Sequence, residues 1–134
     1  MKWTEPKTNW KSTDYFNIGD YNRIKNNLIY LSTEIGKYIK PISLSDMGSD
    51  ITSYDGIWAH TQFNTIENNV SKIASVTEVS FTPKQFFPNG VFITWDELNR
   101  IEEACKNAYK YVKSNTSCIP ILEFRLGNKQ IGNR

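Results

Sequence analysis

The chain has little of what builds disulfide scaffolds, metal sites and membrane spans: two cysteines, one histidine and no long apolar run. Two cysteines cannot form a disulfide-rich scaffold, and we expect Cys105 and Cys118 to be reduced thiols. Together with His60 they fall short of the four ligands of a structural zinc site, so no metal and no cofactor is expected. The longest uncharged apolar stretch is only a few residues, so we expect no transmembrane helix.

Blocks of one charge are also missing. Sixteen Lys and Arg face fourteen Asp and Glu, which leaves a net charge of +2. Nucleic-acid binders usually carry a basic stripe, and none is present, so neither a nucleic-acid nor a membrane partner is expected. The first residues contain no hydrophobic segment of the signal-peptide kind, and we expect the protein to be made in the cytoplasm.

What the chain does have is enough apolar sequence for one folded domain. Its 134 residues are 39% apolar and 22% charged, which is typical of a globular protein. Aromatic residues are abundant, with four Trp, seven Tyr and seven Phe.

A short pattern occurs three times, and each copy opens a stretch with helical apolar spacing. This pattern predicts helices over residues 18–39, 58–76 and 94–113. Because one apolar stripe cannot be buried by its own helix, the three stripes should face inward together in a mainly α, three-helix bundle. The copies are Tyr21-Asn22-Arg23-Ile24, Phe63-Asn64-Thr65-Ile66 and Leu98-Asn99-Arg100-Ile101.

Three further elements are predicted around this core. Residues 1–16 read as an extended aromatic arm. Residues 79–93 read as a small β-hairpin around Pro88-Asn89-Gly90, since Asn-Gly favours tight turns. Residues 114–134 read as a strand-like tail, because apolar and polar residues alternate through Leu122 to Leu126. The core domain then spans residues 17–113, with Asn17 and Thr94 as N-caps of the first and third helices.

The repeated asparagines are the most specific signal in the sequence: Asn22, Asn64 and Asn99. An Asn in the first turn of a helix can bind the backbone of a loop or of a neighbouring element and fix where it docks. The competing interpretation makes the three side chains a ligand or partner site. We favour the structural one.

The aromatic residues have two interpretations. Trp58 and Trp95 fall at helix starts and are expected to pack on the loops that lead in, although exposed Trp can also stack on sugars. The aromatic arm is expected to lie across the bundle or against a partner. Because both termini lack an obvious intrachain partner, we expect them to bind neighbouring subunits. The candidate residues for this contact are Trp3, Trp10, Tyr15, Phe16, Leu122, Phe124 and Leu126.

No catalytic residue is predicted. His60 stands alone, without a nucleophile or paired carboxylate at suggestive spacing. Glu102 and Glu103 are adjacent on a helix and point in different directions, so they are not a dyad. Phosphate-binding glycine loops, nucleophile elbows and HExxH motifs are missing. We therefore expect a protein that is not an enzyme.

Two stretches resemble a known group of proteins. Trp10 to Asn17 followed by Asp20 to Leu28, and Thr94 to Glu102, resemble small proteins encoded in the tail and host-recognition region of phages and prophages of Gram-positive bacteria. These proteins are similar in their aromatic arm, repeated Asn-Arg-Ile-Glu helices and Leu-x-Phe-x-Leu-Gly ending. The second repeat departs from the pattern, with Thr65 in place of Arg, which puts a common role for the Arg residues in doubt.

The resemblance implies a structural component of a virion or phage-tail-like particle, in a tail, baseplate or fibre. Other virion proteins and further copies of the chain would be its partners. The alternative is a carbohydrate-binding module that adheres to the host cell wall. A small enzyme or regulator acting on nucleic acid is the third possibility.

Overall fold

The described residues contain three packed α-helices, as the apolar stripes predict. The structure is a computed structural model that describes residues 3–48, 50, 60–86 and 93–126, with side chains up to Asn115 in the last helix and not for His60. Helix α1 spans Ile18–Tyr38, α2 spans His60–Thr77 and α3 spans Trp95–Leu126. The mainly helical class and the three-helix packing are confirmed.

The start of α1 follows from its sequence. Asn17 accepts a hydrogen bond from the Asp20 amide, and the Asp20 carboxylate accepts one from the Asn17 amide. This reciprocal capping box satisfies two amides that a helix terminus otherwise leaves free. Helix α3 begins at Trp95, directly after the predicted cap Thr94.

Helices α1 and α3 run in the same direction and in register. Arg23 of α1 pairs with Glu102 of α3, and seven residues further along both helices Tyr30 lies beside Tyr109. Residue numbers therefore rise together along the two helices. Parallel neighbours need connections that travel the whole helix length.

Three segments outside the helices are described: one precedes α1, one follows α1 and one follows α2. We define the first segment as residues 3–16, the second as residues 40–48 and 50, and the third as residues 78–86. The third segment runs back along α2, with Lys84 beside Glu67 and Phe86 beside Asn64. Each helix after the first therefore starts at the same end of the bundle as the one before it.

The centre of the core consists of layers to which each helix contributes one residue. The repeats predict the register of the first four layers, and the fifth continues the same spacing; all these residues are at most 4% exposed. Fully burying a large apolar side chain stabilises the fold by about 1.5–3 kcal/mol, so these layers dominate the packing energy. The layers are Tyr21/Phe63/Leu98, Ile24/Ile66/Ile101, Leu28/Val70/Cys105, Leu31/Ile73/Ala108 and Ile35/Thr77/Val112.

The predicted β-hairpin over residues 79–93 is not supported. Residues 79–86 and 93 are extended or irregular and form no strand, and the Pro88-Asn89-Gly90 turn lies outside the described residues. Side chains of α2 and α3 bind the Lys84 and Phe86 amides and the Thr82 carbonyl, so these backbone groups are satisfied without a partner strand. Phe86 and Ile93 are buried in the core instead of pairing across a hairpin.

The predicted aromatic arm, residues 1–16, is extended where it is described, but it has an intrachain partner. Trp10 is 3% exposed and belongs to the hydrophobic core. Trp3 stacks on Tyr109 with ring centroids 4.1 Å apart. Trp10 and Trp3 therefore pack on the chain's own helices, because burying their large rings there is favourable, and binding of another chain by this arm stays a prediction.

The strand-like tail is also corrected, since α3 continues to Leu126. Three alternating positions are too few to separate the two periods, and Leu122 and Leu126 also lie four residues apart, which suits a helix. A helix satisfies its own backbone hydrogen bonds, whereas an isolated strand would need a sheet edge. Pro120 removes one of those bonds, since proline has no amide hydrogen.

Candidate functional site

Within the described residues, four asparagine side chains bind the backbone of the extended segments. Each amide accepts a hydrogen bond from the N–H of one residue and donates one to the C=O of the same residue. This is the pattern of a hydrogen-bonded pair in an antiparallel sheet, with a side chain in place of the second strand. The pairs are Asn27 with Thr4, Asn69 with Ser45, Asn64 with Phe86 and Asn99 with Trp10.

We call each such pair of hydrogen bonds between an asparagine side chain and one backbone residue a clamp. Two of the clamps use the repeated asparagines. Asn99 accepts from the Trp10 amide at 2.8 Å and donates to the Trp10 carbonyl at 3.1 Å. Asn64 does the same to Phe86, at 2.6 Å and 2.9 Å. These are the bonds expected of a structural role. Asn22 lies half-buried at the equivalent position of α1, and its role stays a prediction.

The clamps by Asn27 and Asn69 were not predicted. Both residues lie five positions after a repeated asparagine, and both are 1% exposed or less. Extending the repeat alignment by five residues would have found them, because a polar residue that recurs on the inward side of two helices has to be bonded. Ala104 occupies the third equivalent position.

The Glu102 side chain accepts four hydrogen bonds from described residues. Its carboxylate is 1% exposed and accepts from the Lys7 amide at 3.0 Å and from the Trp10 indole Nε1 at 2.7 Å. Arg23 approaches it with two nitrogens, Nε at 3.0 Å and Nη2 at 2.6 Å. These four donors satisfy the hydrogen-bonding capacity of the buried carboxylate. Glu102 therefore holds the first segment against α1 and α3, which is a structural role.

Arg23 completes this network. Its Nη1 donates to Asp20 at 2.7 Å, which links the capping box of α1 to Glu102. Burial acts to lower the pKa of the Arg23 guanidinium, but the hydrogen bonds to Glu102 and Asp20 outweigh it and the pKa is raised. The side chain therefore stays charged.

A matching network joins α3 to α2. Arg100 donates through Nη2 to the Glu67 carboxylate, which is 1% exposed, and through Nη1 to the Thr82 carbonyl at 2.9 Å. Glu67 also accepts from the Lys84 amide at 2.9 Å. In both networks the arginine directly follows the repeated asparagine of its own helix. The glutamate lies three residues after the repeated asparagine of the neighbouring helix.

The junction between α2 and α1 differs. The equivalent positions hold Thr65 in place of arginine and Lys25 in place of glutamate. Lys25, 2% exposed, donates to the Gly48 carbonyl at 3.3 Å and pairs with Asp50 in the second segment. The hydrogen bond from Lys25 lowers the pKa of the Asp50 carboxyl.

An open groove lies between the first segment and the start of α3. We call it the aromatic groove; its volume is about 380 Å³. Tyr15 is 91% exposed and Trp95 is 42% exposed, and both contribute to it. The described residues that line it are Trp10, Lys11, Ser12, Asp14, Tyr15, Phe16, Ile93, Thr94, Trp95 and Leu98.

The turn at the rim of this groove is held in place. The Lys11 amide donates to the Asp14 carboxylate at 3.0 Å, and the Asp14 amide donates to the Lys11 carbonyl at 3.0 Å. Lys7 pairs with Asp14 at 3.2 Å and lies over the Trp10 ring at 4.1 Å. The backbone hydrogen bond and then Lys7 lower the pKa of the Asp14 carboxyl, which therefore stays ionised.

The partner-binding candidates are spread over different environments. Trp10 lies inside, Trp3 and Phe16 are half-buried, and Tyr15 alone among these four is fully accessible. Trp95 is accessible as well. Trp58 and the side chains of Leu122, Phe124 and Leu126 lie outside the described part of the protein.

Catalytic groups do not converge in the described residues. Burial strongly raises the pKa of the Cys105 thiol, which makes it a poor nucleophile. Among the side chains that are described, no three of His, Cys, Asp and Glu are grouped so as to hold a metal ion. Over the same residues, none of the helices has the length and hydrophobicity needed to cross a membrane.

Comparison of the chain with protein-family models, with curated proteins and with solved structures gave no match. Function is therefore inferred from the contacts of the chain and from its sequence.

Proposed function

We propose that this protein is a non-enzymatic structural component of a phage or phage-tail-like particle, located in a tail, baseplate or fibre. Its buried charged groups support this proposal. Glu102, Glu67 and Arg23 are all occupied in holding the chain's own segments, and none is left poised in a cleft as a catalytic acid or base would be.

The observation that carries the proposal is the length of α3. It has 32 residues against 21 and 18 in α1 and α2, and Val112 is the last core residue among its described side chains, which end at Asn115. At 1.5 Å per residue, α3 is roughly 16 Å longer than α1. A helix that outruns its bundle is a suitable element for joining one subunit to the next.

The sequence of this extension suits contact with other copies of the chain. The alternating spacing of three and four residues that gives the core positions Ala108 and Val112 continues through Asn115, Ile119, Leu122 and Leu126. Such spacing is typical of helices that associate side by side. Contacts of this kind would offset the cost of Pro120, about 3 kcal/mol in a helix interior.

The subunit contact is tested by a matched pair of variants. Leu122→Asp lies on the continued stripe and Ile121→Asp lies beside it. We expect light scattering to show concentration-dependent association of the parent chain and of Ile121→Asp, and loss of association in Leu122→Asp with an unchanged helical spectrum. A monomeric parent chain at every concentration would contradict the contact.

The role in a particle is tested in the phage or prophage that encodes the chain. Mass spectrometry of purified particles should detect the protein in a fixed ratio to the major tail proteins, and deletion of its gene should give incomplete or non-adsorbing particles in electron micrographs. Normal particles that lack the protein would rule the proposal out.

A further inference from the structure

We propose that the aromatic groove binds a neutral glycan, with Tyr15 and Trp95 as the stacking surfaces. This inference goes beyond the assembly role and does not depend on it. It also gives Tyr15, expected from the sequence to contact another subunit, a different ligand.

The first argument is the exposure of the aromatic rings. Three large hydrophobic side chains among the described residues are exposed, Tyr15, Trp95 and Tyr38, and two of them contribute to this one groove. Leaving a Trp or Tyr ring in water forgoes the burial free energy that the other aromatics of this chain obtain. Sugars offer such rings an apolar C–H face while their hydroxyls stay in water.

The second argument is the shape and chemistry of the groove. Its floor is apolar and fixed, since Trp10, Leu98 and Ile93 are at most 9% exposed. Its rim carries donors and acceptors in Lys11, Ser12, Asp14 and Thr94, which suit hydroxyl groups. A volume of about 380 Å³ lies within the range of small-ligand sites.

The third argument is the charge of the rim. The described lining holds one lysine and one aspartate, whose opposite charges balance, so the lining itself selects neither an anionic nor a cationic glycan. Asp14 is already held by the Lys11 amide and by Lys7, which keeps the turn in place before a ligand arrives. A preformed rim lowers the ordering cost of binding.

The test uses the full chain on an array of neutral and anionic glycans, followed by titration of the best neutral glycan monitored by NMR. The variants Tyr15→Ala and Trp95→Ala remove the stacking surfaces, and Tyr38→Ala removes a ring that is about as exposed as Trp95 and does not line the groove. We expect saturable binding of a neutral glycan, weakened at least about 10-fold by either groove variant and unchanged in Tyr38→Ala. A thermal melt establishes that the variants fold.

Two results would overturn the inference. One is an array in which no neutral glycan exceeds background or in which anionic glycans alone bind. The other is glycan binding that both groove variants retain. Incorporation of the same variants into particles separates this site from the assembly role: loss of incorporation without any glycan binding would make the groove a protein interface instead.

Discussion

Two of the three helix junctions are alike, and the third is different. Arg23 with Glu102 and Arg100 with Glu67 each bury a carboxylate that also receives a segment amide. At the third junction Lys25 turns to the second segment and Thr65 replaces the arginine. The third junction therefore lacks both the arginine and the glutamate of the other two. This indicates that the two residues act as a unit, because either one alone would leave a buried charge uncompensated.

Removing the centre of the first junction should have the largest effect. Glu102→Ala leaves Arg23, the Trp10 indole and the Lys7 amide without their acceptor, and breaking a buried pair in this way costs about 3–5 kcal/mol. Urea denaturation measures the loss. Glu103→Ala, on the exposed side of the same helix, is the control and should stay within about 0.5 kcal/mol of the parent. Equal losses of stability in Glu102→Ala and Glu103→Ala would contradict the role of Glu102 at this junction.

Removing one clamp should have an intermediate effect. Asn99→Ala leaves the N–H and C=O of Trp10 without partners, and a buried unsatisfied group costs about 1–3 kcal/mol. We expect a loss of about 2 kcal/mol in the free energy of unfolding. Asn107→Ala, exposed on the same helix, should change it little. An Asn99→Ala variant with the same free energy of unfolding as the parent would show that this clamp does not stabilise the fold.

Rebuilding the odd junction sharpens the comparison. In a double-mutant cycle, Lys25→Glu and Thr65→Arg should each destabilise the fold, and the double variant should recover about 1–3 kcal/mol relative to their sum. The reason is that Thr65 and Lys25 occupy the positions that hold Arg100 and Glu67 at the next junction. Additive effects would mean that the three junctions are not equivalent in geometry.

Lowering the pH should break the ion pair between Lys25 and Asp50 and should reduce the free energy of unfolding only slightly. The pKa of Asp50 is lowered in the folded protein, so its contribution is present above the unfolded value of about 4 and is lost as the pH falls through the folded value. Because Asp50 is 54% exposed, the contribution is below about 1 kcal/mol. Comparing Asp50→Asn with the parent at pH 7 and pH 3 measures it. A larger difference at pH 3 than at pH 7 would contradict this assignment.

The sequence predicts the core well because helical periodicity reports burial directly. The alignment of Tyr21, Phe63 and Leu98 places four layers of the interior correctly, and the fifth, Ile35 with Thr77 and Val112, continues the same spacing. The β-hairpin prediction fails because Val79 and Phe81 alternate as a strand does, while the bonds that hold this segment come from distant side chains such as Asn64 and Glu67.

The candidate sites are less predictable for the same reason. Trp10 and Tyr15 look alike in the sequence as aromatics of one arm, yet one is in the core and the other is in water. Only contacts across 89 and 92 residues of sequence, to Asn99 and Glu102, decide between them. The aromatic groove likewise requires Tyr15 and Trp95 to come together, which no local pattern indicates.

Hydrogen exchange of single amides tests the central claim most directly, namely that side chains of the helices take the place of strand partners for the extended segments. The account predicts slow exchange at six amides that donate to Asn or Glu side chains, and loss of protection at Trp10 in Asn99→Ala. Exchange at all six as fast as in an unstructured peptide would contradict it. The amides are those of Thr4, Lys7, Trp10, Ser45, Lys84 and Phe86.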